Sequence, residues 1–205
     1  MFESFNTLVN EPMSGHTTLK LGGPADYLAF PRSEEEIAAL FAEAGAHDMP
    51  VTVIGRGSNL LVRDGGIRGL VICIGKNMSQ VTREGNRITA GAGATLARVA
   101  ATAAAAGLSG LVFASGIPGT VGGGVVMNAG AYEGEMSQVV TRVRGIYPDG
   151  TPVCFSREEM DFGYRHSRVQ EKPFIVTSVD FELREGDPDE IREKMAELNA
   201  MRADK

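Results

Sequence analysis

Residues 115–135 read SGIPGTVGGGVVMNAGAYEGE, a stretch too rich in glycine for a regular strand or a long helix. Seven glycines in these 21 residues mean that backbone geometry, rather than side-chain packing, is being specified. The bias extends upstream, because 18 of the chain's 26 glycines fall between Gly55 and Gly134. Glycine accepts positive φ and lets the main chain come close to another group. Set beside Ser, Thr and Asn, such a segment reads either as loops laid over a ligand or as tight turns between short strands.

The flanking elements follow from period and punctuation. Upstream, Thr95 caps LARVAATAAAAG (96–107), an Ala-rich helix stopped by Gly107. QVTREGNRITA (80–90) alternates about a Gly-Asn turn as a hairpin. VTVIG (51–55) and GLVICI (69–74) are continuous apolar runs, predicted as buried strands, and the first feeds directly into the polar loop RGSNLLVRDGG. ADYLAF (25–30) predicts a strand followed by a helix to about Ala46, with Ser33 and Glu36 as its capping box. Downstream, residues 139–156 predict a hairpin about Pro148-Asp149-Gly150 and residues 157–167 a short helix ending in a loop. FIVTSVDFEL (174–183) predicts a long strand, and Asp187-Pro188 opens a charged terminal helix. Irregular alternation of strands and helices with two hairpins suits an α+β fold better than a doubly wound parallel sheet. A boundary near residue 78 would divide it into subdomains 1–78 and 79–205.

Composition narrows the function. With 43% hydrophobic and 22% charged residues the chain is an ordinary globular one, and a formal charge of −6 gives no basic field for nucleic acid. No apolar run approaches the ~20 residues that span a bilayer. The expectation is a cytoplasmic monomer with neither nucleic-acid nor membrane partners. Cys73 and Cys154 lie in apolar or extended stretches without metal spacing and read as buried free thiols.

Several motifs fail. Gly55 and Gly57 begin a G-x-G-x-x-G pattern, but Leu60 occupies its last position, and no P-loop is present. His16, His47 and His166 are scattered, and no metal site is expected. What survives is two loops of one kind, RGSNLL (56–61) and SGIPGTVGGG (115–124). Successive amides from such turns, helped by Ser58, Asn59, Ser115 and Thr120, form concavities that bind a diphosphate without basic residues.

Four segments, PMSGHTTLKLGGPAD (12–26), GRGSNLLVRDGG (55–66), SGIPGTVGGGVVMNAGAYEGE (115–135) and DFGYRHS (161–167), together resemble the UDP-N-acetylenolpyruvoylglucosamine reductase family. That family lies within the flavoprotein superfamily of vanillyl-alcohol oxidase and p-cresol methylhydroxylase. They cover the chain in the family's order, with Leu19 standing where the family often has Phe.

The resemblance implies a two-subdomain α+β fold around noncovalent FAD, with NADPH as reductant and a UDP-sugar enolpyruvyl ether as substrate in peptidoglycan precursor synthesis. It places Gly55, Arg56, Gly57, Ser58, Asn59 and Leu60 on one side of the cofactor. Ser115, Gly116, Ile117, Pro118, Gly119, Thr120, Gly122 and Gly123 stand on the other, with Asn128, Gly130 and Ala131 near the flavin. Arg165 matches the family's catalytic arginine, and Tyr164 beside it is implied as a substrate or flavin contact; without the resemblance, a loop arginine paired with Asp161 or Glu159 is the plainer reading. Tyr132 is either an aromatic packed by the flavin or a core residue with a satisfied hydroxyl. The family continues into a third, substrate-binding domain with a proton-donating serine and an assisting glutamate. This chain, matched as far as ELNAMRADK (197–205), is therefore expected to bind FAD without completing turnover alone. Two alternatives stand beside this: another FAD-dependent oxidoreductase of the superfamily, or a flavin-binding module without turnover.

Overall fold

The computed structural model describes residues 2–132 and 134–203. In chain order its strands are β1 (Thr7–Pro12), β2 (Pro24–Ala29), β3 (Val51–Ile54), β4 (Ile67–Cys73), β5 (Val81–Glu84), β6 (Arg87–Gly91), β7 (Leu108–Ser109), β8 (Gly130–Ala131), β9 (Gly134–Glu135), β10 (Val140–Ile146), β11 (Pro152–Ser156), β12 (Ile175–Glu182) and β13 (Arg184–Glu185). The helices are α1 (Glu34–Ala46), α2 (Leu96–Ala105), α3 (Val121–Val126), α4 (Arg168–Glu171) and α5 (Pro188–Ala203).

Two sheets carry the α+β architecture. The first has the order β1-β2-β4-β3 and the second β11-β10-β12-β6-β5. In the first sheet β4 pairs in parallel with both β2 and β3, so α1 is the crossover that such pairing demands. From Gly69 to Ile72 β4 is buried on both faces and apolar without a break. The second sheet is antiparallel throughout and is built from the two predicted hairpins and the long strand.

β1 has no counterpart among the predicted strands. It is an edge strand antiparallel to β2, and its mostly exposed residues Thr7–Pro12 show no apolar alternation. Side chains that need not bury a face leave no period-2 signal.

The core joins the sheets. Ile37, Leu40 and Ala44 of α1 and Leu70 and Ile72 of β4 belong to one buried cluster with Ile88, Val143 and Val179 of the second sheet. On the opposite face of the first sheet, Leu28, Ile54 and Val71 pack with Met13 and Val62 beneath the loop after β3.

Local chemistry sets the helix ends. The Ser33 hydroxyl accepts from Glu36 N at 3.3 Å, while the Glu36 carboxylate accepts from Arg32 N at 2.8 Å. Asp187 accepts from the backbone of Asp189 and Glu190 and starts α5. α3 tolerates three consecutive glycines because it lies against the second sheet: a Cβ on Gly122 would come within 3.0 Å of the Ala92 methyl.

Two expectations are corrected. Residues 157–167 do not form a helix. Ser156 and Glu159 exchange reciprocal side-chain to backbone bonds and one helical turn starts, with Met160 N donating to Ser156 O at 3.1 Å. Asp161 then takes φ +48° and ends it, so the start signal was genuine but was not propagated. Cys154 is exposed on the edge strand β11 rather than buried; only Cys73 is largely covered.

Candidate active site

The loop leaving β3 forms one wall of a cleft of about 1200 Å³. Gly55, Arg56, Gly57, Ser58, Asn59 and Leu60 all line it. The facing wall is Ile117, Pro118, Gly119, Thr120, Gly122 and Gly123, continuing through Asn128, Gly130 and Ala131. Two loops about sixty residues apart in sequence thus meet across one cavity. Ser115 and Gly116 are not among its lining; the Ser115 hydroxyl lies 3.3 Å from Asn199 Oδ1, and a Cβ on Gly116 would meet Asn199 and Arg202 of α5.

The walls touch at one point. A Cβ on Gly55 would sit 2.3 Å from the Thr120 hydroxyl, which already caps α3 by accepting from Gly123 N. Gly57 has φ +64°, and its added Cβ would sit 2.3 Å from His16 O. The loop is therefore clamped between Thr120 in front and residues 16–18 behind. Beneath it the Cys73 thiol donates to Gly55 O at 3.5 Å, and burial pushes that thiol's pKa up to about 11.

The two walls supply donors unequally. In the second loop the amides of Ile117, Gly119, Val121, Gly122 and Gly124 already donate to protein carbonyls, and Gly123 to the Thr120 hydroxyl. Among the described residues, no amide from Arg56 through Leu60 meets a protein acceptor. Ser58 Oγ is buried in the same loop without a partner. A buried orphan hydroxyl beside successive free amides is costly unless an anion or another acceptor completes it, and a phosphate does so. The cations on the described lining are Arg56, Arg165 and Arg202. Phe41, Val51, Ile54, Ile74, Phe174 and Val176 supply apolar wall, suited to flat heteroaromatic rings. These features fit FAD.

At the mouth, Gly163 and His166 exchange backbone bonds at 3.1 and 3.2 Å, leaving Tyr164 and Arg165 at the tip of a tight turn. Tyr164 is 93% exposed. Arg165 takes φ +52°, and its Nη2 donates to Asn59 Oδ1 at 3.1 Å, so its guanidinium turns to the first loop instead of Asp161 or Glu159. Tyr132 lines the cleft and is 45% exposed, so it is not a core residue, although its hydroxyl is satisfied by Leu198 O at 2.7 Å.

Sequence reasoning missed three features here. The side-chain amide of Asn128, a residue expected near the flavin, is used inside the protein: Nδ2 donates to Gly163 O at 3.1 Å and Oδ1 accepts from Ser137 N at 2.9 Å. Gln170 reaches the same turn, donating to Arg165 O and Val126 O, although nothing in RVQEK marks it out. One ligand-capable atom each of Asp161, His166 and Glu171 lies within 4.8 Å of the others, where His166 had looked isolated.

A family model described as "FAD binding domain" matches residues 25–156. UDP-N-acetylenolpyruvoylglucosamine reductase of Agathobacter rectalis is 54% identical over 97% of this chain and 67% of its own length. The same-named protein of Pediococcus pentosaceus is 48% identical over 100% of the chain and 68% of its own. The chain thus spans about two thirds of the length of these curated relatives. Among solved structures, the UDP-N-acetylenolpyruvylglucosamine reductase of Thermus caldophilus superposes with a TM-score of 0.83 at 36% identity, over 98% of this chain and 70% of that one. A chitooligosaccharide oxidase shares the fold alone, with a TM-score of 0.68 at 17% identity over 89% of this chain and 42% of that one. The architecture is the α+β FAD-binding fold of the vanillyl-alcohol oxidase and p-cresol methylhydroxylase type. With relatives this similar along nearly its whole length, the chain belongs to the UDP-N-acetylenolpyruvoylglucosamine reductase family, whose members are FAD-dependent oxidoreductases.

Proposed function

We propose that this protein serves NADPH-dependent reduction of UDP-N-acetylglucosamine enolpyruvate to UDP-N-acetylmuramate, a step of peptidoglycan precursor synthesis. The observation that carries the reading is that the donor-rich loop 56–60 and Arg165 are joined through Asn59 within one cleft. The 54% identity to a reductase of that name favours it over an oxidase of the wider superfamily, where identity is only 17%.

In this reading the amides of Arg56 to Leu60 and the Ser58 hydroxyl hold the FAD diphosphate. Gly55 and Gly57 keep the loop close to it, and Ile117, Pro118, Gly119, Thr120, Gly122 and Gly123 close the other side. Gly130 and Ala131 flank the ring, and Asn128 contributes through its backbone. When bound, FAD would supply two-electron hydride chemistry between NADPH and the vinyl carbon of the substrate.

Hydride addition builds negative charge toward the substrate carboxylate. Arg165, exposed at the mouth of the cleft, offers a planar, permanently charged fork to that carboxylate. Tyr164, exposed at the same tip, is positioned to meet the substrate as it enters.

The same reading divides the chain into FAD-binding subdomains at residues 1–78 and 79–205, consistent with the change of sheet between Cys73 and Val81. It takes the protein as a cytoplasmic monomer, because NADPH and UDP-sugars are intracellular metabolites; no helix among the described residues is long and apolar enough to cross a membrane.

The test is anaerobic, and it and every reoxidation measurement on a variant use a polypeptide that carries the family's third, substrate-binding domain. NADPH bleaches the bound flavin, and the enolpyruvyl UDP-sugar then restores its colour. A flavin that NADPH leaves oxidised, or colour that remains on the protein after acid precipitation, overturns the assignment.

A further inference from the structure

The tip holding Tyr164 and Arg165 is fastened from below by two side chains. Asn128 is 5% exposed, has φ +41°, and bridges two segments: Nδ2 donates to Gly163 O at 3.1 Å and Oδ1 accepts from Ser137 N at 2.9 Å. Gln170 Nε2 donates to Arg165 O at 3.0 Å and to Val126 O at 2.8 Å, where Ser167 Oγ also donates at 2.9 Å. Val126 ends α3, and its carbonyl lies among those a helix leaves without an internal partner. The turn carrying the arginine is thereby tied to the helix that forms the facing wall.

This fastening has work to do. Arg165 at φ +52° occupies a left-handed conformation that a non-glycine residue holds only when its surroundings impose it. The Asn59 contact reaches only its side-chain tip. Asn128 and Gln170 instead act on the backbone, and Asn is itself tolerant of positive φ. A guanidinium displaced by about 1 Å can lose on the order of 10²-fold in rate.

We propose that Asn128, assisted by Gln170, is a positioning residue for Arg165. Its amide fixes the 163–166 turn so that the guanidinium faces the cleft, and its side chain touches neither cofactor nor substrate. The inference rests on the reading of Arg165 as the cation that meets the substrate carboxylate.

The discriminating variant is Asn128→Asp, which keeps the acceptor for Ser137 N and loses the donor to Gly163 O. Trypsin cleavage after Arg165 and hydrogen exchange over residues 161–168 report the turn without any turnover. Both should rise at least about fivefold, while exchange over α2 stays at the parental level. On the flavin-loaded fraction, reoxidation by the enolpyruvyl sugar should fall about 10- to 100-fold. The defect should shrink as pH falls, because a protonated carboxyl regains a donor. Gln170→Met, at an exposed position, gives a milder loosening and covers the case in which the buried variant does not fold.

Parental cleavage, exchange and reoxidation in both variants would overturn the positioning role and leave the reductase reading intact. A parent that never bleaches with NADPH would instead sink the reductase reading, while the cleavage and exchange measurements still decide whether the turn is held as described.

Discussion

Arg165 Nη2 stands 3.1 Å from Asn59 Oδ1, joining residues 106 positions apart across the mouth of the cleft. Under the proposed function, the loop assigned to the FAD diphosphate thus also touches the side chain of the arginine assigned to the substrate carboxylate.

Arg165→Ala should keep bound flavin and its bleaching by NADPH yet lose about 10²- to 10³-fold in reoxidation by the enolpyruvyl sugar, the usual cost of removing a preorganised charge stabiliser. Arg165→Lys should recover little, since a point charge does not reproduce a bidentate fork. Asn59→Ala should cost about tenfold, as expected for one hydrogen bond to a charged group. Stopped-flow traces of the two half-reactions separate these effects.

Gly55→Ala forces a methyl to within 2.3 Å of the Thr120 hydroxyl, and should weaken FAD binding at least about 30-fold. Thr120→Ala alone loses a helix cap worth about 1 kcal/mol. In the double variant the next atom is 3.5 Å away, so the two losses should fall well short of additivity. Additive losses in an equilibrium titration would mean that the walls do not meet there.

How much of this was legible in sequence depends on what each residue buries. β3, β4 and β12 announced themselves because their side chains line a core, whereas β1, an exposed edge, left no pattern. The two loops were visible through glycine, since close approach at Gly55 and positive φ at Gly57 exclude other residues. What glycine content could not convey is which amides are already used. Both loops looked alike as sequence, yet among the described residues the amides of 56–60 all lack a protein acceptor while most of those in 115–124 have one. The side-chain roles of Asn128 and Gln170 are not legible because their partners are carbonyls 35 and 5 residues away, and any residue supplies a carbonyl.

Asp180, with its side chain 3% exposed, takes two bonds from Arg144 at 2.9 and 2.6 Å and one from Thr89 at 2.8 Å. Burial opposes its ionisation, but those bonds outweigh burial and hold its pKa below the ordinary value. Its contribution to stability is therefore complete above the unfolded-state pKa of about 4 and disappears as pH falls through the lower folded value. Arg144→Leu leaves burial dominant and reverses the trend: stability should fall as pH rises above about 4, by about 2–4 kcal/mol at pH 7, less than for a fully buried pair because Arg144 is 37% exposed. Urea midpoints across that range give the answer.

At pH 8 a thiol reagent should titrate exposed Cys154 quickly and Cys73 only on unfolding, because burial holds the Cys73 pKa near 11 and the thiolate is the reactive form. Cys154→Ser should abolish the fast phase. A fast phase that survives it would place Cys73 in contact with solvent and loosen the loop it supports.

The most direct test of the central claim is an equilibrium titration of the flavin-stripped protein with FAD and with FMN. FMN shares the ring but lacks the diphosphate bridge. One FAD should bind per chain, at least about 100-fold more tightly than FMN, a gap of about 2.7 kcal/mol. Equal affinity for the two flavins, or no uptake of FAD, would contradict a diphosphate held by the amides of residues 56–60.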